Sequence, residues 1–185
     1  MMFRTALATS AALGISLLAA CTAPMGMMGK PFMQDSLPPA VQVPAGHKVV
    51  MEAVGVGEIT YECRAKKDMA GQYEWVFVGP DAKLNSRAGQ QVGKYYGPPA
   101  TWESADGSKV TGAQVAVAPA GTGNIPLQLV KANPAMGQGA MVGTSYIQRV
   151  ATQGGVAPAS ACDAGSMSKK EIVKYQADYI FWRAM

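Results

Sequence analysis

Alternation of apolar and polar residues between closely spaced turn signals restricts this chain more than any other feature. In Glu58-Ile59-Thr60-Tyr61-Glu62-Cys63, the residues Ile59, Tyr61 and Cys63 fall on one face of an extended strand and Glu58, Thr60 and Glu62 on the other. Residues 73–78 alternate likewise and stop at Gly79-Pro80, as a strand ends where proline removes a donor. Residues 48–54 form a further strand, with Gly55-Val56-Gly57 a bend or bulge before Glu58. Residues 100–104, 109–117, 127–131, 144–152 and 172–182 are strand candidates, and Asp106-Gly107 reads as a hairpin turn. No long apolar stripe at helical spacing lies among them. About eight to ten short strands predict one all-β domain, an antiparallel sandwich or a barrel. Periodicity carries no strand order, so the two architectures stay equal at this point.

The N-terminus is of another kind. Met1-Met2-Phe3-Arg4 carries one positive charge and is followed by residues 6–20, apolar or small almost throughout, which is short for a permanent span and right for an export signal. The run ends Leu18-Ala19-Ala20-Cys21, which resembles the lipobox of bacterial lipoproteins, where the chain is cut before a cysteine that receives a diacylglycerol. An incidental cysteine behind an ordinary signal peptide is the alternative. The lipobox resemblance implies a signal peptide over residues 1–20, a lipidated Cys21 as the mature first residue, and, with Thr22 rather than Asp next, anchoring at the outer membrane facing the periplasm. Residues 21–39, rich in Met, Gly and Pro, read as a tether, and residues 40–185 as the domain. Met25, Met27, Met28 and Met33 cluster in that tether; soft thioethers could hold Cu(I), while an inert leash is the plainer account.

Of three cysteines, lipidation of Cys21 would leave Cys63 and Cys162, an even pair in an oxidising compartment, expected as a disulfide. A net charge of +4 with scattered basic residues offers no concentrated face for nucleic acid. No cofactor is expected. Gly137-x-Gly139-x-x-x-Gly143 precedes a strand rather than a helix, so it lacks the context of a dinucleotide fingerprint. His47, the sole histidine, has no nucleophile elbow to serve, and no ligand cluster for a metal is visible.

Several ordered pieces carry a family resemblance. Tyr61-x-Cys63, Trp75-x-Phe77-x-Gly79-Pro80, Gly97-Pro98, Trp102-Glu103-x-x-Asp106-Gly107-Ser108, Ile125-Pro126, residues 146–158 from Tyr146-Ile147-Gln148-Arg149 to Ala157-Pro158, Cys162 and Tyr175-x-Ala177-Asp178-Tyr179 together resemble the exported proteins of domain of unknown function 3455. The resemblance implies no established activity. Lys94 stands where that family's His is expected, and Leu127 where a Trp commonly follows Ile-Pro.

Two functional readings follow. A non-catalytic envelope module would bind a protein or glycan partner, with Trp102, Tyr95, Tyr96 and Arg149 as candidate contacts. A periplasmic glycan hydrolase would instead pair Glu103 with Asp106 or Asp178 as acid and base beside an aromatic platform. Asp106 is also explained by its turn, and Trp102 and Glu103, as neighbours on a strand, point to opposite faces.

Overall fold

The computed structural model describes residues 32–185. Eight strands, β1 (His47–Ala65), β2 (Tyr73–Asn85), β3 (Gln91–Tyr96), β4 (Thr101–Ser104), β5 (Lys109–Ala118), β6 (Leu127–Ala132), β7 (Thr144–Gly154) and β8 (Lys170–Ala184), form a closed antiparallel barrel. Every strand pairs with its sequence neighbour, and β8 closes on β1 from His47↔Ala184 to Glu62↔Lys170. Of the two all-β architectures, the barrel is the one adopted.

Gly55-Val56-Gly57 does not divide β1; the strand runs through it. The glycines are needed because atoms of the paired strands β8 and β2 occupy the space that a side chain would take. A Cβ on Gly55 would lie 2.5 Å from Cε2 of Tyr179, and one on Gly57 would lie 2.1 Å from the carbonyl oxygen of Asp81. Small residues Ala53, Gly55, Gly57 and Ala82 thus line the wall against which Tyr95, Trp102 and Tyr179 pack, the small-against-large filling that an eight-stranded barrel requires. Likewise β2 continues past Gly79-Pro80, with a register shift opposite Thr60/Tyr61. Pro80 is tolerated because β3 reaches only to Asp81, leaving Pro80 on a free edge. Strand β3 was absent from the sequence-based set.

A second, smaller core lies on the outer face of β5 to β8. Phe32, Leu37, Val41 and Val43 pack there against Leu129, Val150, Ile180 and Trp182. Gln148, fully buried, ties this strap down: its Nε2 donates to the Val41 carbonyl (2.7 Å) and to Gln34 Oε1 (3.0 Å), while its Oε1 accepts from Trp182 Nε1 (2.8 Å). Within the stretch up to residue 39 that reads as tether, the described residues pack from Phe32 onwards.

One end of the barrel is plugged by residues 133–143, with Met141 buried in the core. At the other end Cys63 of β1 and Cys162 of the β7–β8 connection form a disulfide, Cα atoms 5.5 Å apart. That connection is further held by Ser168 N–H to Cys63 O (2.8 Å), Cys63 N–H to Lys169 O (2.9 Å), and Tyr61 OH to Gly155 O (2.8 Å).

Candidate functional site: a notch in the barrel wall

Strand lengths around the barrel are unequal, and this shapes the site. Strand β4 pairs with β5 only over Thr101–Glu103 and Lys109–Thr111, and β3 pairs with β2 only from Asp81 to Asn85. Above the short β3–β4 hairpin the wall is therefore low, flanked by the taller β2 and β5. Inward-facing side chains that a full wall would cover are left accessible there: Phe77 is 50 % exposed and Val117 45 %.

Arg149 stands at the back of this notch. Val117↔Gln128, Gln128↔Arg149 and Arg149↔Tyr179 are successive cross-strand partners, so the four residues share one face of the sheet, and Tyr179 on that face is fully buried inside the barrel. The Arg149 guanidinium donates through Nε (3.2 Å) and Nη2 (2.9 Å) to the Pro126 carbonyl. No carboxylate pairs with it among the described residues. Its charge reaches four interior phenols. Burial raises the pKa of Tyr61, Tyr95, Tyr175 and Tyr179 above the usual tyrosine value, and the Arg149 charge opposes that rise at each. Gln128 Nε2 donates to Gln114 Oε1 (2.7 Å) on the same side of the notch.

Tyr95 and Trp102 are not an exposed platform. They stack at 4.6 Å between ring centroids and 20° between planes, and both are buried against Tyr179. Tyr96 lies on the opposite face, donating its hydroxyl to Glu103 Oε2 (2.7 Å), while Lys94 Nζ sits 3.3 Å from Glu103 Oε1. These two partners, Tyr96 first, hold the Glu103 carboxyl below the ordinary glutamate range.

Asp106 serves its hairpin and the plug. Its carboxylate accepts from Ser108 Oγ (2.6 Å), Ser108 N–H (2.9 Å) and Ala140 N–H (2.8 Å), bonds that lower its pKa to about 2. Asp178 pairs with Arg87 (2.7 Å), which also holds Glu52 (3.0 Å). Glu103, Asp106 and Asp178 are thus engaged in three separate clusters and do not converge.

The sequence did not single out a different acidic pair. Glu58↔Asp81 are direct cross-strand partners on the outer wall, in a concavity of about 660 Å³ that Lys83, Lys174 and Gln153 also line. Alternation in two strands separately could not have shown that these residues are partners, because register sets the pairing. Cys21, Met25, Met27 and Met28 lie outside the described residues, whereas Met33 is exposed. Among the described residues no group of three or more His, Cys, Asp or Glu is placed to hold a metal ion.

No curated protein and no solved structure matches the chain. A family model described as protein of unknown function (DUF3455) matches residues 44–183, from just before β1 to within β8, and the chain belongs to that family.

Proposed function

We propose that this chain is an envelope lipoprotein, anchored at the outer membrane through a lipid on Cys21 and facing the periplasm, whose barrel is a non-catalytic binding module. The observation that carries the binding reading is the notch. It offers a guanidinium with no acid partner among the described residues, two side-chain amides and an exposed aromatic, which is recognition chemistry without an acid–base pair. The three carboxylates named for hydrolysis are each bound to a structural partner. A glycan-acting hydrolase is the second reading, and its one support is the Glu58 and Asp81 pair in the outer concavity.

Three measurements test the proposal. Cys21→Ser should abolish lipid labelling, since the thiol that would carry the diacylglycerol is gone; labelling that persists in the variant refutes the anchor. A photo-crosslinker at position 114 in intact cells should give a discrete adduct that Arg149→Gln removes. Cleavage of cell-wall glycan by the purified chain, lost in Glu58→Gln or Glu103→Gln, would replace binding with hydrolysis.

A further inference from the structure

The low wall above β3 and β4 leaves two strand edges facing each other, and the two are not alike. On β2 the free stretch Tyr73–Pro80 carries Glu74, a register shift and a proline, and its Gly79 is closed off by the Gly97 carbonyl. These are the devices by which proteins blunt an edge. On β5 the free stretch is Gly112-Ala113-Gln114-Val115-Ala116-Val117-Ala118, which shares one such device, a register shift between Gln114 and Ala116, but has no charge and no proline. Among the described residues its backbone bonds run only to β6, and Val115 is 55 % exposed. Unpaired N–H and C=O groups along such an edge are a template for another strand.

We infer that β5 accepts an extended acidic–apolar peptide segment of an envelope partner, added antiparallel or parallel along Gly112–Ala118, with one carboxylate side chain reaching Arg149. The inference deepens the binding reading and rests on it. A strand added to β5 continues the line of β4, so alternate side chains point into the notch. There they meet Val117 and Gln114 on β5 and, across the interior, Arg149 on β7. The added strand and β7 are three inter-strand spacings of about 4.8 Å apart along the wall, and less across an eight-stranded interior, which long side chains span. Charge selects the occupant: the guanidinium has only a carbonyl for a partner, so a carboxylate is the group it lacks, and the edge itself adds no repulsion.

The probe is the acetylated, amidated peptide Thr-Val-Thr-Glu-Thr-Val-Thr, fluorescently labelled and titrated against the full detergent-solubilised chain. Its Val, Glu and Val face inward when its threonines face out. Binding should weaken about tenfold or more when the glutamate is replaced by glutamine, and by a similar factor in Arg149→Gln. Val115→Lys, which changes only an exposed side chain, should also weaken it by defending the edge. Methylating the peptide nitrogens of alternate residues, in two complementary patterns, should abolish binding with at least one pattern. Absence of binding, equal binding of the glutamine peptide, or tolerance of both methylation patterns overturns the inference. An adduct at position 114 in cells that depends on Arg149, found together with such a failure, would keep the binding module and discard strand addition. Melting temperatures of both variants within about 2 °C of the parent show that lost binding is not lost fold.

Discussion

Replacing Gln148 by Met tests whether the N-terminal strap belongs to the fold or merely lies on it. The side chain is fully buried between the outer face of the barrel and residues 34–43, and its amide is the shared partner of both. Methionine keeps the length and loses the polar atoms. Two groups are then orphaned, the Trp182 indole N–H and the Val41 carbonyl, because Gln34 Oε1 still accepts from the Val43 N–H at 2.7 Å. Each orphan costs about 1 to 3 kcal/mol, and a recovery of about 1 to 2 kcal/mol from no longer burying an amide leaves a net loss of about 1 to 4 kcal/mol. For a domain of this size that is a fall of about 2 to 16 °C in melting temperature. Urea unfolding of Gln148→Met, Trp182→Phe and the double variant would measure it. The double variant should be less destabilised than the sum of the singles by about 1 kcal/mol or more, since removing both partners of the 2.8 Å bond leaves neither unpaired. Amide exchange should also speed up over residues 34–43 before it does in the barrel strands. A loss below about 0.5 kcal/mol, or strict additivity, would refute the view that this bond fastens the strap.

Cys63→Ser, Cys162→Ser and the double variant should each lose the same constraint, up to about 4 to 5 kcal/mol for closing a loop across 99 positions, and free-thiol titration of the denatured, unreduced domain should find neither cysteine reactive. Trp102→Ala removes a fully buried ring and should cost about 3 to 5 kcal/mol in urea unfolding. Glu103→Gln, on the outer face, should leave the melting temperature within about 2 °C. Asp106 is held down to about 2 in the fold against an ordinary 3.8, so the unfolded chain binds its proton first as pH falls. Its stabilising contribution is therefore complete above about pH 4 and is lost as pH drops towards 2. Asp106→Asn should flatten the fall in stability between those values, and an unchanged slope would contradict the assignment.

What could be read from the sequence follows from the range of the interaction that specifies it. Alternation in residues 58–63 correctly put Ile59, Tyr61 and Cys63 inside, because the period of two is local. The Asp106-Gly107 turn is local too, with Gly107 at a φ of 85°. Strand β3 escaped notice because Gln91-Val92-Gly93-Lys94-Tyr95-Tyr96 is short and broken by a glycine. That glycine is there for a partner the sequence does not display: a Cβ on Gly93 would lie 2.3 Å from the Glu103 carbonyl. The breaks assigned at Gly55-Val56-Gly57 and Gly79-Pro80 failed for the same reason, since room for Tyr179 and the end of β3 are tertiary facts. Arg149 was legible as a candidate contact. The notch around it was not, because it arises from the difference in length between four strands.

The seam between β1 and β8 joins the first strand of the barrel with its last. It is also the longest ladder in the molecule, spanning His47–Glu62 on one side and Lys170–Ala184 on the other. The barrel therefore cannot close until all eight strands are available, and loop closure over such a separation precedes any reward from the contacts it allows. A chain still emerging would hold β1 to β7 as an open sheet with two unsatisfied margins. Such a sheet is prone to pair with the wrong neighbour, so speed of completion matters more here than for a fold nucleated by local contacts. Truncation of only the last few residues should accordingly lower the yield of folded protein more than the lost area suggests, because it shortens the closing strand at the end where Phe181 and Trp182 are buried.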